Sequence, residues 1–370
     1  MITYQDKIKM QSENLSENLI ATMPDFAKEY FETLKELNKQ PRTITEYAYD
    51  MKIFFDWVRS SPGFKNKNIN SCTPSEVLDK LTYTDIQEYL KTFAKVSKVI
   101  KEGDREKRVR VDSSPSFRAR KASSLKSFYS YYAKQGKITT HIAELIPVPK
   151  INKKNLVVLK QSQINKIMNI VGDVNEQEMM AKRDYAILSI LFGVGLRVSE
   201  LVGLDVDDFE LFQYRKKGQE AGSFVIHRKG GDDAVVYFGE TVKNALLDYL
   251  AVRDDFFLNI KDHKTLVEDP QSESALFISY GQRKRMSVRS IETMIKFYKK
   301  KAGFSDDYKV TPHTARRSYA TALYSATNDI YLTSDALGHK SIETTKIYAK
   351  LSDDRRKKTA VISDEIFKKK

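Results

Sequence analysis

Two stretches in the N-terminal part of the chain carry apolar residues at helical spacing. The first runs from Arg42 to Val58 and holds one continuous apolar stripe, which predicts an amphipathic helix with a packing face. The second, from Ser116 to Tyr132, has a similar stripe. Its other faces carry the basic residues Arg118, Arg120, Lys121 and Lys126. Between them, the charged run from Lys101 to Asp112 lacks helical periodicity and predicts a solvated loop. The first domain is therefore predicted to be all-helical.

The segment from Ile146 to Val157 holds two prolines among Lys and Asn residues, which favours a linker between domains at residues 1–150 and 151–370. Beyond it, two strand-like runs, Ser223 to His227 and Ala234 to Phe238, flank a loop with two glycines. They predict a β-hairpin with Lys229 near its tip. Helical patterns occur at Ser162–Val171, Lys182–Phe192, Thr241–Arg253, Ser287–Lys301 and from Thr311-Pro312 onward. The second domain is predicted to be mostly helical with a small sheet.

The composition narrows the class of protein. At 370 residues, with 41% hydrophobic and 30% charged residues, the chain resembles folded globular proteins. Cys72 is the single cysteine, which excludes an internal disulfide and fits a reducing compartment. The opening residues lack the order of a signal peptide, and the most apolar run, Tyr185 to Leu196, is too short to cross a bilayer. We expect a cytoplasmic protein with no membrane partner.

The net charge of +14 is concentrated in one part of the chain. Residues 1–90 carry 11 basic and 14 acidic side chains, whereas residues 91–150 carry 15 basic and 5 acidic ones. Clustered Lys and Arg bind polyphosphates such as nucleic acids, but a charge run is also typical of a solvated surface. Both interpretations stay open for the run from Lys101 to Asp112.

Histidine is scarce, with five in the chain, so each can be considered by itself. His313 stands three residues before Arg316, and on a helix the two side chains would share a face and could meet one phosphate. His339 follows a predicted helix end, and Tyr348 lies nine residues later on a new helix. Upstream, Arg197 begins a new element after the apolar run. Each residue alone could be an ordinary surface or core residue, so only the joint pattern indicates a site.

Five segments, in this order, resemble those of the tyrosine recombinase (phage integrase) family. They are GLRVSEL at 195–201, the hairpin lysine Lys229, the box from His313 to Arg316, LGH at 337–339, and Tyr348. The motif-bearing part covers about residues 182–350. Within the family, residues 228–231 and 310–313 are similar to the long, single-subunit Xer type, the XerS-like recombinases. One departure is Ala315 and Arg317, where relatives usually have leucine and histidine, and the smaller Ala315 puts the local packing in doubt.

The resemblance implies a mainly α fold. Residues 1–150 would form a helical, SAM-like core-binding domain that contacts DNA. Residues 151–370 would form a mixed α/β, mostly helical catalytic domain with a small antiparallel sheet and a C-terminal exchange helix. The two are expected to close around duplex DNA as a C-shaped clamp, and the tail from Leu351 to Lys370 would dock on a neighbouring protomer. The first 40 residues carry no informative motif.

In DNA strand transfer, the two arginines would bind the phosphate that is attacked. Arg197 and Arg316 would clamp it without a metal, because guanidinium offers paired donors and keeps its charge. His339 would add a donor. Glu200, one helical turn from Arg197, would hold that arginine rather than react, since a carboxylate beside the phosphate would repel it. No cofactor is implied, and no metal ligands accompany the histidines at ligand spacing.

The same reaction needs proton transfers. Tyr348 must lose its proton as it attacks phosphorus, and His313 is the predicted base. The leaving 5′-oxygen needs a proton, and Lys229 on its hairpin is the predicted acid. The product would be a 3′-phosphotyrosyl bond that a second strand's 5′-hydroxyl can displace.

The implied partners are a double-stranded DNA recombination site and three further copies of the chain, forming a homotetramer on two sites. Predicted phosphate contacts are Arg118, Arg120, Lys121, Lys126, Arg283, Lys284 and Arg285. Chromosome dimer resolution and integration of a mobile element both fit, as do a type IB topoisomerase and a DNA-binding regulator without activity. The cognate site and an activating DNA translocase such as FtsK are not specified by the sequence.

Overall fold

The computed structural model describes residues 4–102, 105–150, 156–172, 178–213, 220–227, 233–257, 274–339 and 341–351. The chain forms two compact units, Met1–Lys154 and Asn155–Lys370, so the predicted domain boundary lies four residues before the boundary between the units. Within the described ranges, no helix combines the length and the apolar character needed to cross a bilayer.

The first unit is built on helices that enclose an aromatic core. Buried rings from three helices meet there, and Phe26, Tyr30, Phe55, Phe128 and Tyr132 make edge-to-face contacts, the arrangement that aromatic quadrupoles favour. The helices are α1 (Tyr4–Ala21), α2 (Asp25–Glu36), α3 (Pro41–Ser60), α4 (Pro74–Leu78), α5 (Tyr83–Lys91), α6 (Pro115–Lys134) and α7 (Ile142–Leu145). Both predicted amphipathic helices are confirmed, as α3 and α6.

The charged run that was predicted to be a loop is instead a two-stranded antiparallel hairpin. Strand β1 (Lys95–Glu102) pairs with β2 (Arg105–Asp112) over its full length. The prediction of an all-helical first domain was wrong here. The physical signal was a period of two in β2, where the half-buried Val109 and Val111 alternate with the exposed Arg108 and Arg110.

The second unit surrounds one apolar helix. Helix α9 (Glu178–Gly193) buries much of its surface and packs against four other helices. Its apolar character all round is typical of a central helix. The helices are α8 (Gln161–Gly172), α9, α10 (Val198–Gly203), α11 (Glu240–Arg253), α12 (Val288–Lys301), α13 (Pro312–Thr327), α14 (Ile330–Leu337) and α15 (Lys346–Leu351).

A three-stranded antiparallel sheet completes this unit. Its order is β3 (Phe209–Gln213), β4 (Glu220–Ile226) and β5 (Ala234–Phe238). The predicted hairpin is the β4–β5 pair, in which Phe224 lies opposite Val236. Strand β3 was not predicted, because four of its five residues are exposed and it lacks an apolar face of its own.

Candidate active site

Arg197 is held at the start of α10 by a carboxylate one turn away. It is the N-cap residue of this helix, and its backbone N–H donates to Oε2 of Glu200 at 2.8 Å. Its Nη1 donates to Oε1 of the same carboxylate at 2.6 Å. Both carboxylate oxygens of Glu200 therefore accept hydrogen bonds from Arg197. Glu200 is only 8% exposed, so little water competes for these contacts. The predicted contact between the two side chains is present.

Backbone carbonyls orient the guanidinium of Arg316. This side chain is buried on α13, where Nη1 donates to the carbonyl oxygen of Gly195 at 2.7 Å and Nη2 to that of Leu337 at 2.5 Å. Nη2 of Arg197 lies 3.4 Å from the next carbonyl along, that of Gly338. The end of α14 therefore binds both arginines, through the carbonyl groups that a helix C-terminus leaves unpaired.

The end of α14 is a Schellman motif. Gly338 has φ of 57°, its N–H donates to the carbonyl of Asp335 at 2.7 Å, and the N–H of His339 donates to that of Ser334 at 3.0 Å. Glycine adopts this left-handed conformation without steric cost. The motif therefore fixes the backbone of His339 beside the two arginines.

Gly195 makes a second close approach in the same region. Its φ is +72°, and a Cβ built on it would lie 2.4 Å from Cδ1 of Tyr319. A side chain at this position would push Tyr319 away, and Tyr319 packs against the small cluster that contains Tyr348. The GLR segment thus needs its glycine both for backbone conformation and for space.

His313 lies one turn before Arg316 on α13, and its side chain is exposed. Partial desolvation lowers its pKa, and the cations of Arg317, Arg316 and Arg197 lower it further. A neutral imidazole at physiological pH can accept a proton.

His339 and Tyr348 face one another across a short turn. Their rings are 6.2 Å apart between centroids, with an interplanar angle of 20°. Nδ1 of His339 is hydrogen-bonded to Oγ1 of Thr345 at 2.8 Å. The 3₁₀ turn Ile342–Thr344 brings Thr345 under the imidazole, so the spacing of nine residues returns the chain to the same site.

Tyr348 is 5% exposed and packs in an apolar cluster with Ala320 and Leu337. Burial raises the pKa of its phenol, and the positive charges of Arg316, Arg317 and Arg197 act in the opposite direction. The phenol is therefore protonated at neutral pH in this arrangement, and the guanidinium groups are close enough to stabilise a phenolate once water or a substrate enters.

Lys229 lies outside the described residues, as do its neighbours 228–232. The base of the hairpin that carries it is described. There His227 lies between two carboxylates, with Nε2 3.1 Å from Asp208 and Nδ1 3.1 Å from Asp233. Burial opposes the charged imidazole, but the hydrogen bonds and charges of both carboxylates outweigh it and raise the pKa of His227. Sequence reasoning had assigned His227 no role.

Two of the α6 residues that were predicted to contact DNA form ion pairs within the protein instead. Lys121 is 5% exposed, and its Nζ lies 2.6 Å from Oδ1 of the fully buried Asp50. Arg120 donates to the other oxygen of Asp50 at 2.6 Å. The expectation that both lie on an open cationic face is corrected, because α6 turns them towards a buried acid on α3. Arg118 and Lys126 are half-exposed.

The three residues from Arg283 to Arg285, all predicted to contact phosphate, also differ in how far they are paired within the protein. Arg285 forms an ion pair with Asp205 and donates from Nη1 to the carbonyls of Val202 and Leu204. This expectation of a phosphate contact is corrected as well, since the guanidinium holds the end of α10. Lys284 is exposed, and Arg283 has a φ of 52° with its Nη1 buried and without a hydrogen-bond partner among the described residues.

Across the described part of the chain, no group of three or more His, Cys, Asp or Glu side chains has the geometry to hold a metal ion.

Comparison with known proteins gives consistent matches. Residues 157–355 match the phage integrase family. Tyrosine recombinase XerC of Caldanaerobacter subterraneus is 30% identical over 331 residues, which are 88% of this chain and 82% of the relative. XerC of Thermodesulfovibrio yellowstonii is 33% identical over 230 residues, 62% of this chain and 69% of the relative.

Solved structures share the fold at lower identity. The XerH site-specific recombinase bound to palindromic difH substrate superposes with a TM-score of 0.61 at 19% identity, over 95% of this chain and 97% of that one. The Tn1549 transposon integrase in complex with circular intermediate DNA superposes with a TM-score of 0.55 at 16% identity, over 88% and 95%. The mainly helical fold with small antiparallel sheets is confirmed.

Proposed function

The chain belongs to the phage integrase family as a tyrosine recombinase of the Xer type, and we propose that it cuts and rejoins DNA at a specific site through a covalent bond to Tyr348. The observation that carries this proposal is the joint anchoring of two guanidinium groups. Arg197 and Arg316 are bound by consecutive carbonyls at the end of α14, next to His339 and Tyr348.

The arginines supply the electrostatic part of the reaction. As phosphorus is attacked, negative charge on the nonbridging oxygens has to be stabilised, and donors fixed in advance do so without reorganisation. Arg316 is fixed by the carbonyls of Gly195 and Leu337, and Arg197 by Glu200. A guanidinium has five N–H donors, and the side chain of Arg197 keeps exposed surface beyond its contacts to Glu200 and Gly338, so it can donate to the phosphate.

The nucleophile has to be exposed before it can react. Tyr348 is buried among apolar side chains, and its pKa is raised, so the phenol is a poor nucleophile in the free protein. We propose that DNA binding displaces α15 from this cluster and brings the phenol to the phosphate. His313, whose lowered pKa keeps it neutral, then accepts the phenolic proton as the oxygen–phosphorus bond forms.

The 5′-oxygen that leaves phosphorus has to take up a proton. The bond from phosphorus to the 5′-oxygen breaks, and Lys229 is the proposed donor of the proton that this oxygen takes up. The product is a 3′-phosphotyrosyl bond on Tyr348 and a free 5′-hydroxyl. Attack of a second strand's 5′-hydroxyl reverses the step, and two rounds through a Holliday junction exchange two duplexes, carried out by a tetramer on two sites.

Several exposed cations are available for the DNA backbone. On strand β2 the side chains of Lys107, Arg108 and Arg110 are exposed, and a two-stranded ribbon fits the width of a DNA groove. Arg118, Lys126 and Lys284 keep exposed surface as well. We propose that these residues bind phosphates as the two domains clamp the duplex, in place of the internally paired Arg120, Lys121 and Arg285.

We further propose chromosome dimer resolution as the biological role, because a relative that matches 88% of this chain is an Xer recombinase. Integration or excision of a mobile element is the second candidate, favoured by the shared fold of a transposon integrase. A translocase such as FtsK is a candidate activator in the first case only.

A plasmid assay tests the proposal. A palindrome of about 30 base pairs, the length expected for two protein-bound half-sites, is sought beside the gene, and two copies are cloned in a supercoiled plasmid. The proposal predicts junctions and exchanged circles. Relaxation without any exchange product would instead assign the chain topoisomerase activity, and absence of any covalent complex would assign it a binding role alone.

A further inference from the structure

Thr345 is hydrogen-bonded to the side chain of His339 and to the backbone of Tyr348. Its hydroxyl is bonded to Nδ1 of His339 at 2.8 Å, and its backbone carbonyl accepts the N–H of Tyr348 at 2.9 Å. Thr345 is fully buried. One residue therefore connects the imidazole, through a side chain, to the first turn of the helix that carries the tyrosine.

The direction of this hydrogen bond follows from its surroundings. A threonine hydroxyl can donate or accept, and so can a ring nitrogen, depending on the tautomer. If Nδ1–H donated to the hydroxyl, the hydroxyl proton would be buried without an acceptor among the described residues. Burying an unsatisfied donor is costly, so the arrangement in which the hydroxyl donates to a bare Nδ1 is favoured.

A bare Nδ1 has a chemical consequence at the other nitrogen. The neutral imidazole then carries its proton on Nε2, which becomes the donor. In the neutral ring, the hydrogen bond therefore selects the tautomer whose single N–H is at Nε2.

We propose that Thr345 is a positioning residue that holds His339 in the Nε2–H tautomer, so that this nitrogen can donate to the phosphate that Tyr348 attacks. The catalytic part of this inference rests on the proposed function, whereas the tautomer is a property of the free protein. Thr345 does not contact the phosphate; it acts through the imidazole alone.

Three variants separate this role from a general effect on folding. Thr345→Val keeps the shape and removes the hydroxyl, and Thr345→Ser restores a hydroxyl. Thr344→Val is the matched control, because Thr344 lies in the same turn but is exposed, and its hydroxyl donates to the carbonyl of Ser341 at 2.6 Å. Thr344→Val and Thr345→Val make the same chemical change at neighbouring positions, but only Thr345→Val removes the hydroxyl that is bonded to His339.

The tautomer is read by nuclear magnetic resonance on the full chain with isotope-labelled imidazole nitrogens. His339→Gln identifies the signal among five histidines. The wild type and Thr345→Ser are expected to have Nε2 protonated and Nδ1 bare, and Thr345→Val is expected to lose this single-tautomer pattern. A protonated Nδ1 in the wild type, or a Thr345→Val spectrum like that of the wild type, would overturn the proposal.

Single-turnover cleavage is measured on a duplex recovered from covalent complexes that the wild type forms on sheared genomic DNA. Thr345→Val should cleave about five- to tenfold more slowly at unchanged DNA affinity, the effect of losing one hydrogen bond. Thr345→Ser should recover most of the rate, and Thr344→Val should match the wild type. An unchanged rate in Thr345→Val refutes the catalytic part. If the wild type forms no covalent complex, the proposed function fails, and the spectrum alone decides on the tautomer.

Discussion

Replacing Glu200 by glutamine removes one charge from the support of Arg197 while keeping its shape. The carboxylate accepts from both the backbone N–H and the Nη1 of Arg197. A glutamine side chain has one carbonyl oxygen, so it can satisfy one of these donors and must present an NH₂ group to the other. Loss of one charge-assisted hydrogen bond in a buried position costs about 2 kcal/mol of unfolding free energy.

The same substitution should affect catalysis. If the single carbonyl oxygen of the glutamine accepts from the backbone N–H, the guanidinium of Arg197 keeps only its 3.4 Å contact to Gly338 among the contacts described above. We expect Glu200→Gln to lower the single-turnover cleavage rate by about tenfold or more, since a misplaced phosphate donor loses most of its effect on the transition state. Denaturant unfolding and cleavage on the recovered duplex measure the two effects.

Glu178→Gln is the matched control. Glu178 forms an ion pair with Lys182 at 2.7 Å, but its side chain is 80% exposed, and exposed pairs contribute little to stability. It should leave both stability and cleavage unchanged. If Glu200→Gln behaves like this control in both assays, the view that a carboxylate orients Arg197 is refuted.

Three further predictions concern the rest of the site and the first unit. Because the pKa of His313 is lowered, the proposed base is already deprotonated at pH 7. The wild-type cleavage rate should therefore be flat above neutral pH and fall only as the medium becomes acidic. A rate that rises steeply above pH 7 would contradict this role of His313. Lys121→Met should destabilise the first unit by about 3 kcal/mol, at the lower end for a broken buried pair because Asp50 keeps two other donors, and an unchanged unfolding midpoint would contradict this. Gly195→Ala should reduce both thermal stability and cleavage, because its φ is +72° and its Cβ would collide with Tyr319; an alanine variant with wild-type stability would argue against that constraint.

Apolar periodicity predicted the elements that depend on burial. Helices α3 and α6 were found from their apolar stripes and α9 from its continuous apolar run, because tertiary packing selects those positions. The hairpin β1–β2 was missed since its charge density suggested a solvated loop, although the alternation of Val109 and Val111 with arginines was present in the sequence. The density of charge had favoured a loop, but the alternation of valine and arginine correctly indicates a strand.

Partners that are distant in the chain could not be predicted. A helical pattern places Lys121 among basic neighbours, but only the fold brings Asp50 beneath it. The contacts of Arg316 are to backbone carbonyls, which leave no trace in the side-chain pattern. The same holds for His227 and its partner Asp208, which is 19 residues away in the chain. The motifs located the residues, and the geometry between them required the structure.

The central claim is that Tyr348 becomes covalently joined to DNA. Sheared genomic DNA is incubated with the wild type and with Tyr348→Phe, the complexes are denatured, and protein-linked DNA is isolated and digested for mass spectrometry. The wild type should yield a peptide with a nucleotide on Tyr348, and Tyr348→Phe should yield none while binding the recovered duplex with unchanged affinity. Covalent DNA in the Tyr348→Phe variant, or a nucleotide on another residue of the wild type, would contradict the account.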